Sequence, residues 1–257
     1  MNFNFISKIG RGVISYIKKI GDIFLFFIQT IICLFTNKIR IKELVKQMYS
    51  IGVMSLPVVL ITGAFTGMVL AVQSFYQLKQ FTLETAIATI VGLSMTRELG
   101  PVLTALMLSG RIGAAMSAEL GTMKVTEQID ALESLSVNPV RYLVVNRFIA
   151  CVVLTPILTI FSIFIGIVGG YFIGVKMLGV SSVFFINNLK SHVMVDDIFS
   201  GLMKAVFFGG VIAIVGCYKG FNAKHGAEGV GKATTESVVL SCIIILISDF
   251  FLSVILF

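Results

Sequence analysis

The chain has 257 residues, of which 57% are hydrophobic and 13% are charged, and its formal net charge is +7. Soluble domains average roughly 45–50% apolar and about 25% charged residues, so a soluble fold of this composition would expose large apolar patches. A soluble protein is therefore excluded. The basic excess fits the positive-inside distribution of membrane proteins better than it fits nucleic-acid binding.

Three long uncharged runs organise this hydrophobicity, between Lys46 and Lys79, between Arg147 and Lys176, and from 205 to 218. A helix needs about 20 apolar residues to cross a bilayer. Only helices and closed barrels satisfy the backbone in lipid, and runs that are continuous rather than alternating exclude a barrel. The predicted fold class is therefore all-α, a polytopic membrane protein.

Residues 1–46 form a basic segment with one short apolar stretch, Ile23–Phe35. That stretch is too short to cross a bilayer comfortably. A signal peptide would be followed by a cleavage site of small residues, and none follows this stretch. We predict an N-terminal interfacial helix that lies in or dips into the cytoplasmic interface. The basic residues expected to hold it there are Lys18, Lys19, Lys38 and Arg40.

Residues 47–257 are predicted to form one membrane domain of five transmembrane helices, at about 48–75, 85–118, 147–175, 198–218 and 235–257. The first span contains Pro57, Gly63 and Gly67, which predict a bent helix packed through small residues. The third contains Gly166, Gly170 and Gly174, a repeated GxxxG that predicts a close helix neighbour.

The second span is too long for one straight crossing, at 1.5 Å of rise per residue. Gly100-Pro101 is the expected break, because Pro101 has no amide to donate to the carbonyl of Arg97 and its ring presses against that carbonyl. The kink therefore falls on a charged pair, Arg97-Glu98.

The distribution of Lys and Arg outside the spans predicts the orientation. Fourteen lie on the side that holds the N-terminus, and three lie on the other. The positive-inside rule then places the N-terminus in the cytoplasm and, after five crossings, the C-terminus on the opposite side of the membrane. The segment 119–146 becomes a cytoplasmic loop.

Four charged residues lie well inside the predicted spans: Arg97, Glu98, Lys204 and Asp249. Ions in membrane helices are costly and usually face a bundle interior or a wet cavity. Lys204 and Asp249 lie at similar distances from the outer ends of their spans, so they can meet. Two interpretations stay open and can coexist: a neutral ion-pair lock between helices, and the polar lining of a substrate cavity. Arg111 lies nearer the cytoplasmic end, where its side chain can snorkel to water.

The cytoplasmic loop contains a predicted short amphipathic helix at about 124–136, with Thr126 as its N-cap. Apolar residues recur at helical spacing, and Asn138-Pro139 ends the pattern. The polar face is acidic through Glu127 and Asp130. The helix either floats at the lipid interface or binds a protein, and anionic inner-leaflet lipid would repel an acidic face. A protein partner is therefore favoured.

No enzyme site is predicted in this chain. The run Gly226–Ala233 nearly matches a phosphate-binding P-loop, but Ala233 replaces the required Ser/Thr and no strand precedes it, so a tight glycine turn is preferred. The four cysteines occur singly in apolar stretches, without metal-ligand spacing. No metal and no cofactor is expected in the chain itself.

Four segments together resemble the signature of the MlaE/YrbE-type ABC permeases. They are the Glu98-Leu-Gly-Pro-Val run, the stretch from Ser109 to Leu132 that includes Ser-Gly-Arg-Ile-Gly and Glu119-Leu-Gly-Thr-Met, the Val137-Asn-Pro-Val-Arg-Tyr-Leu run, and the Gly226-Ala-Glu-Gly-Val-Gly motif near the end. The resemblance covers roughly residues 40–257. One departure is Asn146, where the family more often has proline.

The resemblance implies a homodimeric permease that moves phospholipid between the inner membrane and the cell envelope and maintains outer-membrane lipid asymmetry. It implies a cytoplasmic ABC ATPase that carries the ATP and Mg²⁺, a periplasmic MCE-domain protein and a STAS-like subunit. Lipid-cavity roles carry over to the four deep charges. ATPase coupling carries over to a cytoplasmic coupling helix, with its candidate residues Glu119, Lys124, Glu127, Gln128, Asp130 and Leu132.

Two other functions stay open on the residues alone. A proton-driven secondary transporter would use Glu98 or Asp249 as its relay, although the five spans show no inverted repeat. A membrane scaffold would use the charges for assembly only.

Overall fold

The computed structural model describes residues 3–36, 40–80, 86–224 and 226–256. Within them no strand occurs, and the α-helices are α1 (Phe3–Thr36), α2 (Ile41–Gly52), α3 (Leu56–Lys79), α4 (Ile87–Ser94), α5 (Gly100–Leu108), α6 (Ala114–Val125), α7 (Gln128–Ser134), α8 (Val145–Tyr171), α9 (Ser182–His192), α10 (Val195–Phe221) and α11 (Ala227–Leu256). Wider π-helical turns at Met95–Leu99, Ser109–Gly113, Val140–Val144 and Phe172–Met177 join or extend some of them.

Five helical units in the described residues are long and apolar enough to cross a membrane, which confirms the all-α polytopic fold. They are span 1 (Ile41–Lys79), span 2 (Ile87–Val125), span 3 (Val140–Met177), span 4 (Val195–Phe221) and span 5 (Ala227–Leu256). Most extend beyond the predicted limits, because polar residues at the span ends continue the helix.

Helix α1 is longer than the predicted interfacial stretch, but only Ile20–Phe35 is apolar. Its apolar part docks on the bundle at the end near α7. The ring of Phe26 packs 5.8 Å from Tyr218 and 5.7 Å from Phe221, and Thr30 is fully buried. Arg40 stacks over the ring of Tyr142 at 4.2 Å. Lys38 and the side chain of Lys19, also expected to hold this helix, lie outside the described part of the structure.

Span 1 bends where the sequence predicted. The chain turns at 53–55, between α2 and α3. Pro57 occupies the first turn of α3, where backbone amides have no carbonyl partner within the helix, so the proline costs no helical hydrogen bond. Gly63 and Gly67 face span 3, and a Cβ added at Gly67 would overlap the carbonyl oxygen of Gly166. The small residues therefore allow backbone-to-backbone packing between spans 1 and 3.

Span 2 changes its helical geometry at the predicted break. The π-helical turn Met95–Leu99 ends immediately before Gly100 and Pro101, and both residues begin α5. A wider turn at this point accommodates the proline ring against the preceding carbonyls, which is a recognised cause of helix distortion. The Arg97-Glu98 pair therefore lies on this distorted π-helical turn.

Span 4 is the central helix. Helix α10 packs against α8, α6, α11 and α5, whereas α11 leaves most of its apolar surface exposed. The larger hydrophobic core surrounds Phe208 and Ile212 of α10, and a smaller one lies around Met95 and Phe185 at the opposite end of the bundle from α7.

Two segments between the predicted spans are helical rather than turns or loops. The Gly-rich stretch 227–232 is not a loop but the start of α11, and the turn before it uses Gly226 at a positive φ of 88°. Gly229 is needed because a Cβ there would overlap the backbone of Lys224. Between the predicted third and fourth spans, in residues 176–197, the chain forms helix α9, which buries Phe185.

The predicted helix 124–136 is also divided differently. Helix α6 continues to Val125, and α7 covers only Gln128–Ser134. Thr126 does not cap α7. Its hydroxyl instead donates 2.9 Å back to the carbonyl of Thr122, and Glu127 at the N-cap position has a φ of 59°. The left-handed residue lets the chain reverse between two helices without a longer loop.

Candidate functional site

A close approach of spans 2 and 4 creates the first candidate site, at the end of the bundle away from α7. Gly201 of α10 lies against the carbonyl oxygen of Thr96, and any Cβ there would overlap it. The distorted turn Met95–Leu99 therefore lies directly beside α10. We call the charged side chains gathered here, Arg97, Glu98, Asp197, Lys204 and Asp249, the outer cluster.

Lys204 is the centre of the outer cluster and is completely buried. Its amine lies 2.6 Å from Glu98 Oε2 and 3.1 Å from Asp249 Oδ1. It also donates to Ser253 Oγ at 2.7 Å and to the carbonyl oxygen of Arg97 at 3.2 Å. Spans 2, 4 and 5 thus converge on one ammonium group, and the predicted meeting of Lys204 with Asp249 is observed.

Ser253 completes the coordination of Glu98. Its hydroxyl lies 3.1 Å from Glu98 Oε1 and 2.8 Å from the carbonyl oxygen of Asp249. Sequence reasoning did not identify Ser253, although it stands one helical turn after Asp249 and so shares its face. The carboxylate of Glu98 therefore has a fixed position.

Arg97 pairs with Asp197, which lies one residue before the predicted start of the fourth span at 198. The guanidinium lies 2.6 Å from Asp197 Oδ1 through Nη2 and donates at 2.8 Å through Nε. Asp197 also accepts from the amide of Met194 at 2.8 Å, which holds the start of α10. The available signal was its position seven residues before Lys204, which places both on one helix face.

The outer cluster is buried on one side and open on the other. The side chains of Asp197 and Lys204 are 6% and 0% exposed, whereas those of Arg97 and Glu98 are 38% and 39% exposed. A cation and a carboxylate are therefore presented together at the protein surface, each held from behind by a buried partner. Such a pair can bind a molecule that carries both charges, with its anionic group at Arg97 and its cationic group at Glu98.

The second candidate site surrounds α7, the helix expected to couple to an ATPase. Glu127, Gln128 and Asp130 are exposed, while Ile129 beneath them is buried and Leu132 half-buried. The amine of Lys124 lies 2.6 Å from Asp130 Oδ1 and forms a salt bridge with it. Gln128 donates at 3.0 Å to Thr126. The exposed surface of α7 is thus acidic and polar over an apolar anchor.

Glu119, the remaining predicted coupling residue, does not belong to the α7 surface. Its carboxylate lies 2.7 Å from the guanidinium of Arg147, which is almost fully buried. The pair joins span 2 to span 3 below α7. Asn138 secures the other side of this hairpin, since its Oδ1 accepts from the amides of Val140 at 3.0 Å and Arg141 at 3.3 Å.

Comparison with known proteins matches residues 44–255 to the family described as Permease MlaE. A probable ABC transporter permease of Rickettsia conorii is 41% identical over 257 residues, which cover 100% of this chain and 99% of the relative. The intermembrane phospholipid transport system permease protein MlaE of Haemophilus influenzae is 40% identical, with the same coverage of both chains. A probable ABC transporter permease of Synechocystis is 41% identical over 92% of this chain and 88% of its own.

Proposed function

The chain belongs to the MlaE permease family, and from that premise we propose that it moves phospholipid between the bacterial inner membrane and the periplasm or outer membrane, as the transmembrane permease subunit of an ABC transporter. The proposal includes outer-membrane lipid asymmetry as the physiological result. It places the N-terminus and α7 in the cytoplasm and the outer cluster towards the periplasm, in agreement with the distribution of Lys and Arg.

The observation that carries this function is the surface pair of Arg97 and Glu98, backed by buried Asp197 and Lys204. A phospholipid headgroup presents a phosphate, and in phosphatidylethanolamine also an ammonium. The guanidinium suits the phosphate, because its planar donors match phosphate oxygens. Two cations and three carboxylates make the cluster acidic overall when all are ionised, which favours a headgroup with a positive charge.

ATP hydrolysis in this proposal occurs on a separate cytoplasmic ATPase, which holds ATP and Mg²⁺ and binds the acidic surface of α7. Exposed acidic residues over the buried Ile129 give α7 a rigid base and a charged face, as a protein-binding helix requires. The remaining partners proposed are a second copy of this chain, a periplasmic MCE-domain protein and a STAS-like subunit on the ATPase. The exposed apolar face of span 5 supplies a surface for such membrane contacts.

Charge reversal on α7 tests the ATPase contact. We expect Glu127→Lys/Asp130→Lys to abolish co-purification of the ATPase, because reversal of two interface charges places like charges against the partner. Glu228→Lys is the matched control, since Glu228 is also acidic, exposed and at the same end of the bundle. An intact complex with the double variant would show that α7 is not the docking helix.

Lipid transfer is tested with the complex in vesicles of labelled phosphatidylethanolamine and an acceptor protein. The expected result is transfer that requires ATP and is lost in Arg97→Gln. Transfer that follows a proton gradient and ignores ATP would instead support the proton-driven alternative. An assembled complex of Arg97→Gln that transfers lipid normally would remove the outer cluster from the lipid path.

A further inference from the structure

Arg111 differs in its partners from three other basic residues of the spans. Arg97, Arg147 and Lys204 each form a salt bridge with a carboxylate, whereas Arg111 has none among the residues that the structure describes. Its Nη1 donates to Ser55 Oγ, which is neutral and buried. Arg111 lies on the π-helical turn Ser109–Gly113 of span 2, about 21 Å beyond Arg97 along the helix.

A cavity of about 190 Å³ opens beside Arg111, between span 1 and span 2. Its polar lining comes from Gln47, Ser50, Arg111 and Glu119. The negative charge of Glu119 is already matched by Arg147 at 2.7 Å. Within the described residues Arg111 therefore has a cavity-facing positive charge without a salt bridge, and Gln47 and Ser50 add an amide and a hydroxyl that can donate hydrogen bonds.

A charged side chain within a membrane span commonly faces a wet cavity and marks a substrate or ion pathway. A guanidinium with neutral donors around it suits a phosphate, which offers several acceptor oxygens. The volume is below the range of about 300–1,000 Å³ that encloses a whole small-molecule ligand. It therefore fits a phosphate group whose remaining atoms stay outside.

The surroundings of the cavity are apolar and exposed, as the tails of a lipid require. Val53 and Met54, which directly precede Ser55, are 54% and 52% exposed. On span 2, Met107 is also exposed one turn before Arg111, and Gly110 has open space where a side chain would lie. A phosphate at Arg111 can thus belong to a molecule whose acyl chains run along these side chains.

We propose that Arg111, with Ser50 and Gln47, binds the phosphate of a phospholipid from the leaflet on the α7 side of the membrane. This site is separate from the outer cluster and lies nearer the cytoplasm. The proposal rests on the proposed transport function, because the lipid bound at Arg111 is taken to be the molecule that leaves or joins the transport path at the inner leaflet. Free phosphate has the same anionic chemistry, so the test must separate the two sources.

The test places a photo-crosslinking amino acid at Ala115, an exposed residue that lines the cavity. The complete transporter complex is reconstituted in vesicles of phosphatidylethanolamine labelled with ³²P in its headgroup. The crosslinker at Tyr49, exposed on the same stretch of α2, is the control for contact with bulk lipid. We expect labelled lipid at Ala115, a decrease of about tenfold with Arg111→Gln, and retention of most label with Arg111→Lys.

The label at Tyr49 should not change in either variant. If Arg111→Gln does not assemble with its ATPase, the milder Gln47→Ala/Ser50→Ala variant replaces it and should lower the Ala115 label several-fold. Unchanged labelling at Ala115 in an assembled variant overturns the proposal, and so does crosslinking to a second copy of the chain. Suppression by excess inorganic phosphate overturns the lipid assignment in favour of a free anion.

Lipid transfer is measured in parallel. Its absence in a wild-type complex that still labels Ala115 contradicts the proposed function and leaves the phosphate site standing.

Discussion

The amine of Lys204 donates a 3.2 Å hydrogen bond to the carbonyl oxygen of Arg97. This carbonyl is the one whose usual helical donor position, four residues later, is occupied by Pro101. The proline therefore leaves an acceptor that a side chain of another span satisfies. The same amine binds two carboxylates, so the break in span 2 and the outer cluster are parts of one arrangement.

Replacing Lys204 by methionine should strongly destabilise the protein. Loss of one partner from a buried ion pair costs about 3–5 kcal/mol, because the carboxylates of Glu98 and Asp249 remain without a cation. We expect a lower unfolding temperature for the purified complex in Lys204→Met, measured by heating followed by size-exclusion chromatography. Lys190→Met, at an exposed site on α9, should have no effect. The double variant Lys204→Met/Glu98→Gln should recover part of the loss, and failure to recover would mean that packing rather than charge is responsible.

Asp197→Asn should weaken the support behind Arg97. The amide keeps the size of the side chain but loses the charge-assisted bonds, worth about 1.5–3 kcal/mol. We expect reduced stability and slower ATP-dependent lipid transfer. The control is Asp196→Asn, since Asp196 is the neighbouring residue and is exposed. Equal behaviour of the two variants would show that the Arg97–Asp197 pair has no role in the site.

Gly67→Ala should separate spans 1 and 3. Its Cβ would overlap the carbonyl oxygen of Gly166, and backbone cannot move aside as a flexible side chain can. We expect a large loss of folded, monodisperse protein by fluorescence-detected chromatography. At Gly231 a Cβ meets nothing, so Gly231→Ala should be neutral or stabilising by about 0.5–1 kcal/mol. A normal yield of Gly67→Ala would contradict the close packing of these spans.

Glu127→Gly should separate the backbone role of Glu127 from its charge. The residue has a φ of 59°, which glycine adopts without strain, so the turn before α7 should become more stable by about 1 kcal/mol. Glu127→Gln keeps the strain and removes only the charge. If the carboxylate binds the ATPase, both variants should weaken ATPase affinity in titrations. Weakening by Glu127→Gly alone would indicate that turn geometry, and not charge, matters.

The sequence predicted the spans and the deep charges because the physics of the bilayer acts on single residues. An uncharged run must cross lipid, and a charge inside it must find a partner, so Lys204 and Asp249 could be expected to meet. Asp197 was missed because α10 begins at Val195, slightly before the predicted start of span 4. That shift moves the carboxylate from an assumed loop to the same helix face as Lys204.

Helix ends near α7 were harder to predict, because they depend on backbone conformations that the sequence does not mark. Glutamate is not a typical residue for a left-handed turn, yet Glu127 adopts one, and Thr126 then has no role as a cap. The glycines of 227–232 suggested a loop, but Gly229 serves instead to let α11 pass close to Lys224. Both features result from tertiary packing.

The ion pair of Glu119 with Arg147 ties the two arms of the hairpin that carries α7. A contact at the base of the hairpin couples its two arms, so we expect a displacement of α7 to act on span 2 and span 3 together. Span 2 also carries Arg97 and Glu98. A movement of α7 at one face of the membrane can therefore be transmitted through span 2 to the charged residues near the other face.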